Sequence, residues 1–179
     1  MILVIRRVVA VLAACGLCAS LSAYVGSYVG MTMDSLSRWA IAVGIGPFIL
    51  LLPMYPANYA ALKCRNFFWK GFSYGMPKWV VPTIKLLGLF FAIHFLLFLI
   101  ESHAASPQIK DSQYVLDNHG QILRVLTRLE YLHLKGAELR IFATGWMFFY
   151  FVPFAYWWFP RLRKPLVGND CDGTGELSR

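Results

Sequence analysis

Few side chains in this sequence are of types and spacings that do chemistry. Cys15 and Cys18 stand in a C-x-x-C spacing, the arrangement of a dithiol–disulfide pair. They lie inside a long apolar stretch, where low dielectric opposes the thiolate that such chemistry needs, so small packing residues are the simpler reading. Cys64 and Cys171 complete a scattered set of four cysteines that forms no zinc spacing. His94 is surrounded by apolar residues, the setting of a proton relay or a haem ligand. A bis-histidine haem needs a second imidazole at the same depth, and the sequence offers none. A hydrogen-bonded histidine between helices is therefore favoured.

Glu130 and His133 are three residues apart, a spacing that can hold a metal on one helix face. Without further ligands the pair is a weak site. His119, in Asp117-Asn118-His119-Gly120, is more simply a turn residue. No serine–histidine pair, glycine-rich phosphate loop or metalloprotease motif is present. No cofactor and no metal are expected.

The elements that must position these groups are apolar. Of 179 residues, 58% are hydrophobic and 15% charged, against about 25% charged in an ordinary soluble domain. The mean hydropathy is +0.55. Lipid is the natural solvent for such a chain. Four stretches approach the roughly 20 residues that a span requires: Val8–Val29, Trp39–Leu62, Val80–Ile100 and Ile141–Phe159. The expected fold is an all-α, four-helix transmembrane bundle over residues 1–164. Its outer loop, 101–140, joins the third and fourth helices, and residues 165–179 form a flexible cytoplasmic tail.

Orientation follows from Lys and Arg. With the N-terminus inside, Arg6, Arg7, Lys63, Arg65, Lys70, Lys78, Lys85, Arg161, Arg163, Lys164 and Arg179 face the cytoplasm, eleven of the 17. Both termini are then cytoplasmic, and the location is a bacterial inner membrane, multi-pass. The net charge of +8 reflects this orientation and attraction to anionic lipid. It does not point to nucleic acid, because the basic residues flank spans. Aromatics interleaved with basic residues over 63–79 suit the inner headgroup plane. Arg6-Arg7 and the apolar run to Cys15 resemble a bacterial lipoprotein signal, but apolar residues continue far beyond Cys15, which favours an uncleaved span.

Within the helices, Ser22, Gly26 and Gly30 repeat every four residues, with Ala19, Ala23 and Ser27 on an adjacent row. Such stripes let helices approach closely in lipid. Asp34 or Ser37 is the expected cap of the second helix. That helix is interrupted by Pro47, Pro53 and Pro56, with Asn58 placed to bond freed carbonyls. This is either a broken helix lining a pathway or a kink satisfied by its neighbours, and the kink is favoured.

Residues 114–126 predict a β-hairpin turning at Asp117–Gly120. Thr127-Arg128-Leu129-Glu130 is a capping box that starts a helix of roughly 30 residues running on into the last span. That span is crowded with aromatics, which either pack, face lipid, or bind an apolar ligand such as a quinone or lipid tail.

The expected function is that of a non-catalytic small inner-membrane protein acting through protein–protein contacts. It would be an accessory subunit of a membrane complex or an immunity- or exclusion-type protein. Its partners would be the bilayer and another protein or a further copy of itself. The interaction residues would be Tyr114, His119, Glu130, His133, Trp146 and Phe149. Two alternatives remain. One is a quinone- or redox-associated membrane protein using Cys15, Cys18 and His94. It is similar only in size and span count to quinone-linked disulfide-forming enzymes. The other is a small transporter or channel component using Pro53, Pro56 and Asn58.

Overall fold

The computed structural model describes residues 2–52, 76–103 and 105–159. Pro53, Pro56, Asn58, Cys64 and the 165–179 tail lie outside these residues. Along the described chain run α1 (Ile2–Gly26), a 3-10 turn (Ser27–Val29), α2 (Met33–Leu51) and α3 (Val80–Ser102). Strands β1 (Ser106–Lys110), β2 (Gln113–Asn118) and β3 (Gln121–Val125) follow, then α4 (Arg128–Trp158).

The four-span bundle is not what forms. Among the described residues, two helices are long and apolar enough to cross a membrane, Val4–Val29 and Val80–Ser102. The expected second span, Trp39–Leu62, lies partly outside the described residues; within them α2 ends at Leu51, and its apolar segment Ile41–Leu51 is shorter than a span. In α4 the first half is charged, and the aromatic second half is turned inward: Trp146, Met147, Tyr150, Phe151, Ala155 and Tyr156 are all buried. The aromatic helix is the centre of the fold, with α1, α2 and α3 each packed on it. The Tyr150 hydroxyl is a polar tip that needs a partner when buried, and the interior supplies one.

The contact between α1 and α4 is made by small residues. Ala10, Ala13, Ser20, Ala23 and Ser27 are buried at helical spacing. Ser20 and Ser27 return their hydroxyls to the Gly16 and Tyr24 carbonyls, so no polar group is orphaned. Ala23 and Ser27 belong to the second of the two rows seen in the sequence, beside that of Ser22, Gly26 and Gly30. Ser22 is exposed and donates to the Cys18 carbonyl. Gly26 is buried where a Cβ would meet Met31, and Gly30 takes φ +91° to end the 3-10 turn.

Tyr150 ties three helices together. Its ring lies where a Cβ on Gly16 of α1 or on Gly46 of α2 would stand. Its hydroxyl donates to the Val43 carbonyl at 2.8 Å. Val43 is four residues before Pro47, so its carbonyl is the one that the proline leaves without a helical donor. At Pro47 the freed acceptor is therefore satisfied by a neighbouring helix.

The cap of α2 is Thr32, not Asp34 or Ser37. Its hydroxyl accepts from the Ser35 amide, and Ser35 returns the bond to the Thr32 amide.

Between α3 and α4 lies a three-stranded antiparallel meander of order β1-β2-β3. The expected hairpin forms its second half. The first half is an additional strand, β1, which Pro107 and a polar sequence conceal. Both loops have two residues with positive φ, Asp111 and Ser112 at 49° and 64°, His119 and Gly120 at 50° and 94°. These are the left-handed angles that match strand twist in tight hairpins. Asp117 closes the second turn by accepting from the Gly120 amide and from Lys110 Nζ at 2.7 Å. Both bonds hold its carboxyl below the usual range.

Replacing Tyr150 by Phe strands the Val43 carbonyl in an apolar interior. Stability in detergent should fall by about 1–3 kcal/mol, read as a lower thermal midpoint. Gly16→Leu should cost a similar amount, about 1–3 kcal/mol by overpacking.

Candidate groove between α2, α3 and α4

α2 and α3 flank α4 and leave a groove of about 1090 Å³ between them. This is slightly above the roughly 300–1,000 Å³ that ligand pockets occupy. Its floor is one face of α4, with Ile141, Phe142, Gly145, Trp146 and Phe149 at helical spacing. One wall is α2, through Ile41, Gly44, Ile45 and Phe48; the other is α3, through Phe91, Phe95 and Phe98. Glycines keep the groove deep. A Cβ on Gly44 would come within 3.3 Å of the Trp146 indole nitrogen, and one on Gly145 within 3.2 Å of the Phe91 ring. Phe149 packs against Phe48 and Phe148 with ring centroids 5.4 and 5.3 Å away.

One end of the groove is charged. Lys135 Nζ lies 3.0 Å from Glu138 and 3.6 Å from Asp34. Burial opposes the charge on Lys135, whose side chain is 12% exposed, but the Glu138 and Asp34 carboxylates hold its pKa above the ordinary value. The Tyr131 hydroxyl donates to Asp34 at 3.5 Å, and burial raises this phenol's pKa. Two carboxylates around one ammonium leave this end with an excess negative charge. Asp34, Glu138 and Ser106 all line the groove.

The sheet holds this end in place. Tyr114 stacks on Tyr131 with centroids 4.7 Å apart, within a core of Ala105, Leu116, Leu126 and Leu134. The capping box at Thr127 is present: Thr127 accepts from the Glu130 amide, and Glu130 accepts from the Thr127 amide at 2.8 Å. Glu130 also accepts from the Thr127 hydroxyl and from Arg124 at 2.8 Å. These donors hold its pKa down at about 2.

Of the residues that the sequence nominated, Trp146 and Phe149 line the groove and Tyr114 braces its charged end. Glu130 is occupied as a cap. His133 stands 4.0 Å from Glu101 over a separate cavity of about 410 Å³ that Arg124 and Glu130 also line. No group of three metal-ligating side chains occurs among the described residues. His119 sits in its turn with positive φ.

Cys15 and Cys18 are exposed free thiols on the outer face of α1. His94 is bonded between helices. Its Nδ1 faces the Phe90 carbonyl at 3.0 Å and its Nε2 faces the Tyr24 hydroxyl at 3.2 Å. Because a carbonyl only accepts, Nδ1 carries the proton, so Tyr24 donates to His94 and Tyr28 to Tyr24 at 3.0 Å.

Asp34, Lys135 and Glu138 escaped the sequence reading as a site, since Asp34 is about a hundred residues from the other two. The i,i+3 spacing of Lys135 and Glu138 was the one local signal.

Because Glu130 is acidified on folding, its contribution to stability is complete above the ordinary carboxylate pKa. It is lost as pH falls from about 4.5 towards about 2. Glu130→Gln should remove that part of the acid dependence, measured by comparing thermal midpoints at pH 6 and pH 3. Comparison with protein-family models, curated proteins and solved structures finds no match to this chain.

Proposed function

We propose that this chain is a membrane-embedded, non-catalytic binding protein that holds a long-chain amphiphile with a cationic head in the groove between α2 and α3. The observation that carries this reading is the form of the groove: a long apolar trough, floored by Trp146 and Phe149, that ends on Asp34 and Glu138. The apolar and aromatic lining suits a hydrocarbon chain. The excess carboxylate at the end favours a positive head, since Lys135 bridges the two acids but neutralises only one of their charges.

In this proposal the two long apolar helices, α1 and α3, lie in a bacterial inner membrane, with Arg6 and Arg7 at the start of α1 on the cytoplasmic side. The 3-10 turn, the sheet and the charged end of the groove face outward. In a cysteine-free background, a cysteine at Gln121 should react with a membrane-impermeant maleimide added to intact cells. Protection until the membrane is opened would reverse the orientation.

The binding test uses two probes of equal chain length, an alkyltrimethylammonium and an alkyl carboxylate, each with a diazirine in the chain. After irradiation in nanodiscs, cross-links are mapped by mass spectrometry. The cationic probe should label α2, α3 and α4 along the groove, and Ile45→Trp should reduce this labelling at least tenfold by filling it. Asp34→Asn with Glu138→Gln should erase the preference for the cation. Equal labelling of all outer helix faces, unchanged by Ile45→Trp, would overturn the reading.

A further inference from the structure

The two edges of the sheet are unlike each other. The β1 edge is guarded: Pro107 lacks an amide proton, Lys110 is paired with Asp117, and α4 packs against β1 and β2. The β3 edge has no proline and a single ion pair, Arg124 with Glu130. With the order β1-β2-β3, one side of β3 has no strand partner among the described residues, and all five of its residues are exposed. Ile122, Leu123 and Val125 expose 54%, 49% and 61% of their surface, and neighbouring Leu129 exposes 80%. Large apolar side chains on a free strand edge are what monomeric sheet proteins avoid.

We propose that β3 pairs with β3 of a second copy of this chain, antiparallel about a two-fold axis, making one six-stranded sheet across a homodimer. A two-fold interface joins the same patch to itself, so a self-complementary surface is required. β3 meets this condition. Its one charged residue, Arg124, is already closed by Glu130 of its own chain at 2.8 Å. The edge therefore offers no ionic code for a foreign partner and no uncompensated charge to repel its copy. Two copies meeting over Ile122, Leu123, Val125 and Leu129 would bury on the order of 1,000 Å², about the least that a specific interface needs. Backbone hydrogen bonds along the strand add to this, as in other cases of strand addition. The inference does not depend on what the groove holds.

The test is the mass of the full chain, purified in detergent and again in nanodiscs, by light scattering or mass photometry. The wild type should carry two chains of 20.4 kDa. Ile122→Lys with Leu123→Lys should give one chain with unchanged helical circular dichroism, since both side chains are exposed. Ile109→Lys on the opposite edge should remain a dimer. In a cysteine-free background, single cysteines at positions 121–125 should form intermolecular disulfides, strongest near the two-fold axis. A monomeric wild type, or a dimer that survives the double lysine change, would overturn the proposal. Labelling of β3 by lipid probes in a monomer would assign the patch to the bilayer instead.

Discussion

The arrangement of the helices depends on one buried side chain. Tyr150 can bind the Val43 carbonyl only because Pro47 has left that carbonyl free, and its ring fits only because positions 16 and 46 are glycine. Three local oddities on three helices thus resolve one another. A proline kink inside an apolar helix would otherwise leave an unpaired acceptor, which costs most where water is excluded. The tyrosine converts that liability into a fixed distance between α2 and α4. Trp146, one turn away on α4, is then carried over Gly44, and the floor of the groove is set by the same contact.

The same economy is visible at the other end of α4. The Thr127 box starts the helix, Glu130 closes on Arg124 of β3, and Tyr131 stacks beneath Tyr114 of β2. The sheet is therefore fastened to the helix that floors the groove. Through Tyr131 and Lys135 that helix also reaches Asp34 at the start of α2. Hairpin, cap, charged cluster and groove form one connected unit. A small sheet of this kind is marginal alone, and its stability comes from being docked on α4.

His94 shows how a polar residue in a long apolar helix can be quiet. Both ring nitrogens are engaged, one by a carbonyl of its own helix and one by Tyr24 of α1. The imidazole thereby joins α1 and α3, which carry the two long apolar stretches. Arg140, 5.0 Å above the Tyr28 ring, ends this chain of polar groups at α4.

Local features were legible in the sequence because they depend on residues a few positions apart. The capping box at Thr127 and Glu130, the turn at His119-Gly120 and the long run of α4 are set by backbone sterics and near-neighbour hydrogen bonds. The apolar length of α1 and α3 is likewise a property of the segments themselves. What only the tertiary structure decided is which apolar helix faces inward. Length and hydrophobicity are the same for a lipid-facing span and a buried core helix, so four apolar stretches read as four spans, whereas α4 is the core. On α1, small residues lie on several faces, and only the partner helix selects the one that is buried. Strand β1 was concealed by Pro107, and the Asp34–Lys135–Glu138 cluster by chain separation. The groove itself has no sequence signature, because it is the space left when α2 and α3 both pack on α4.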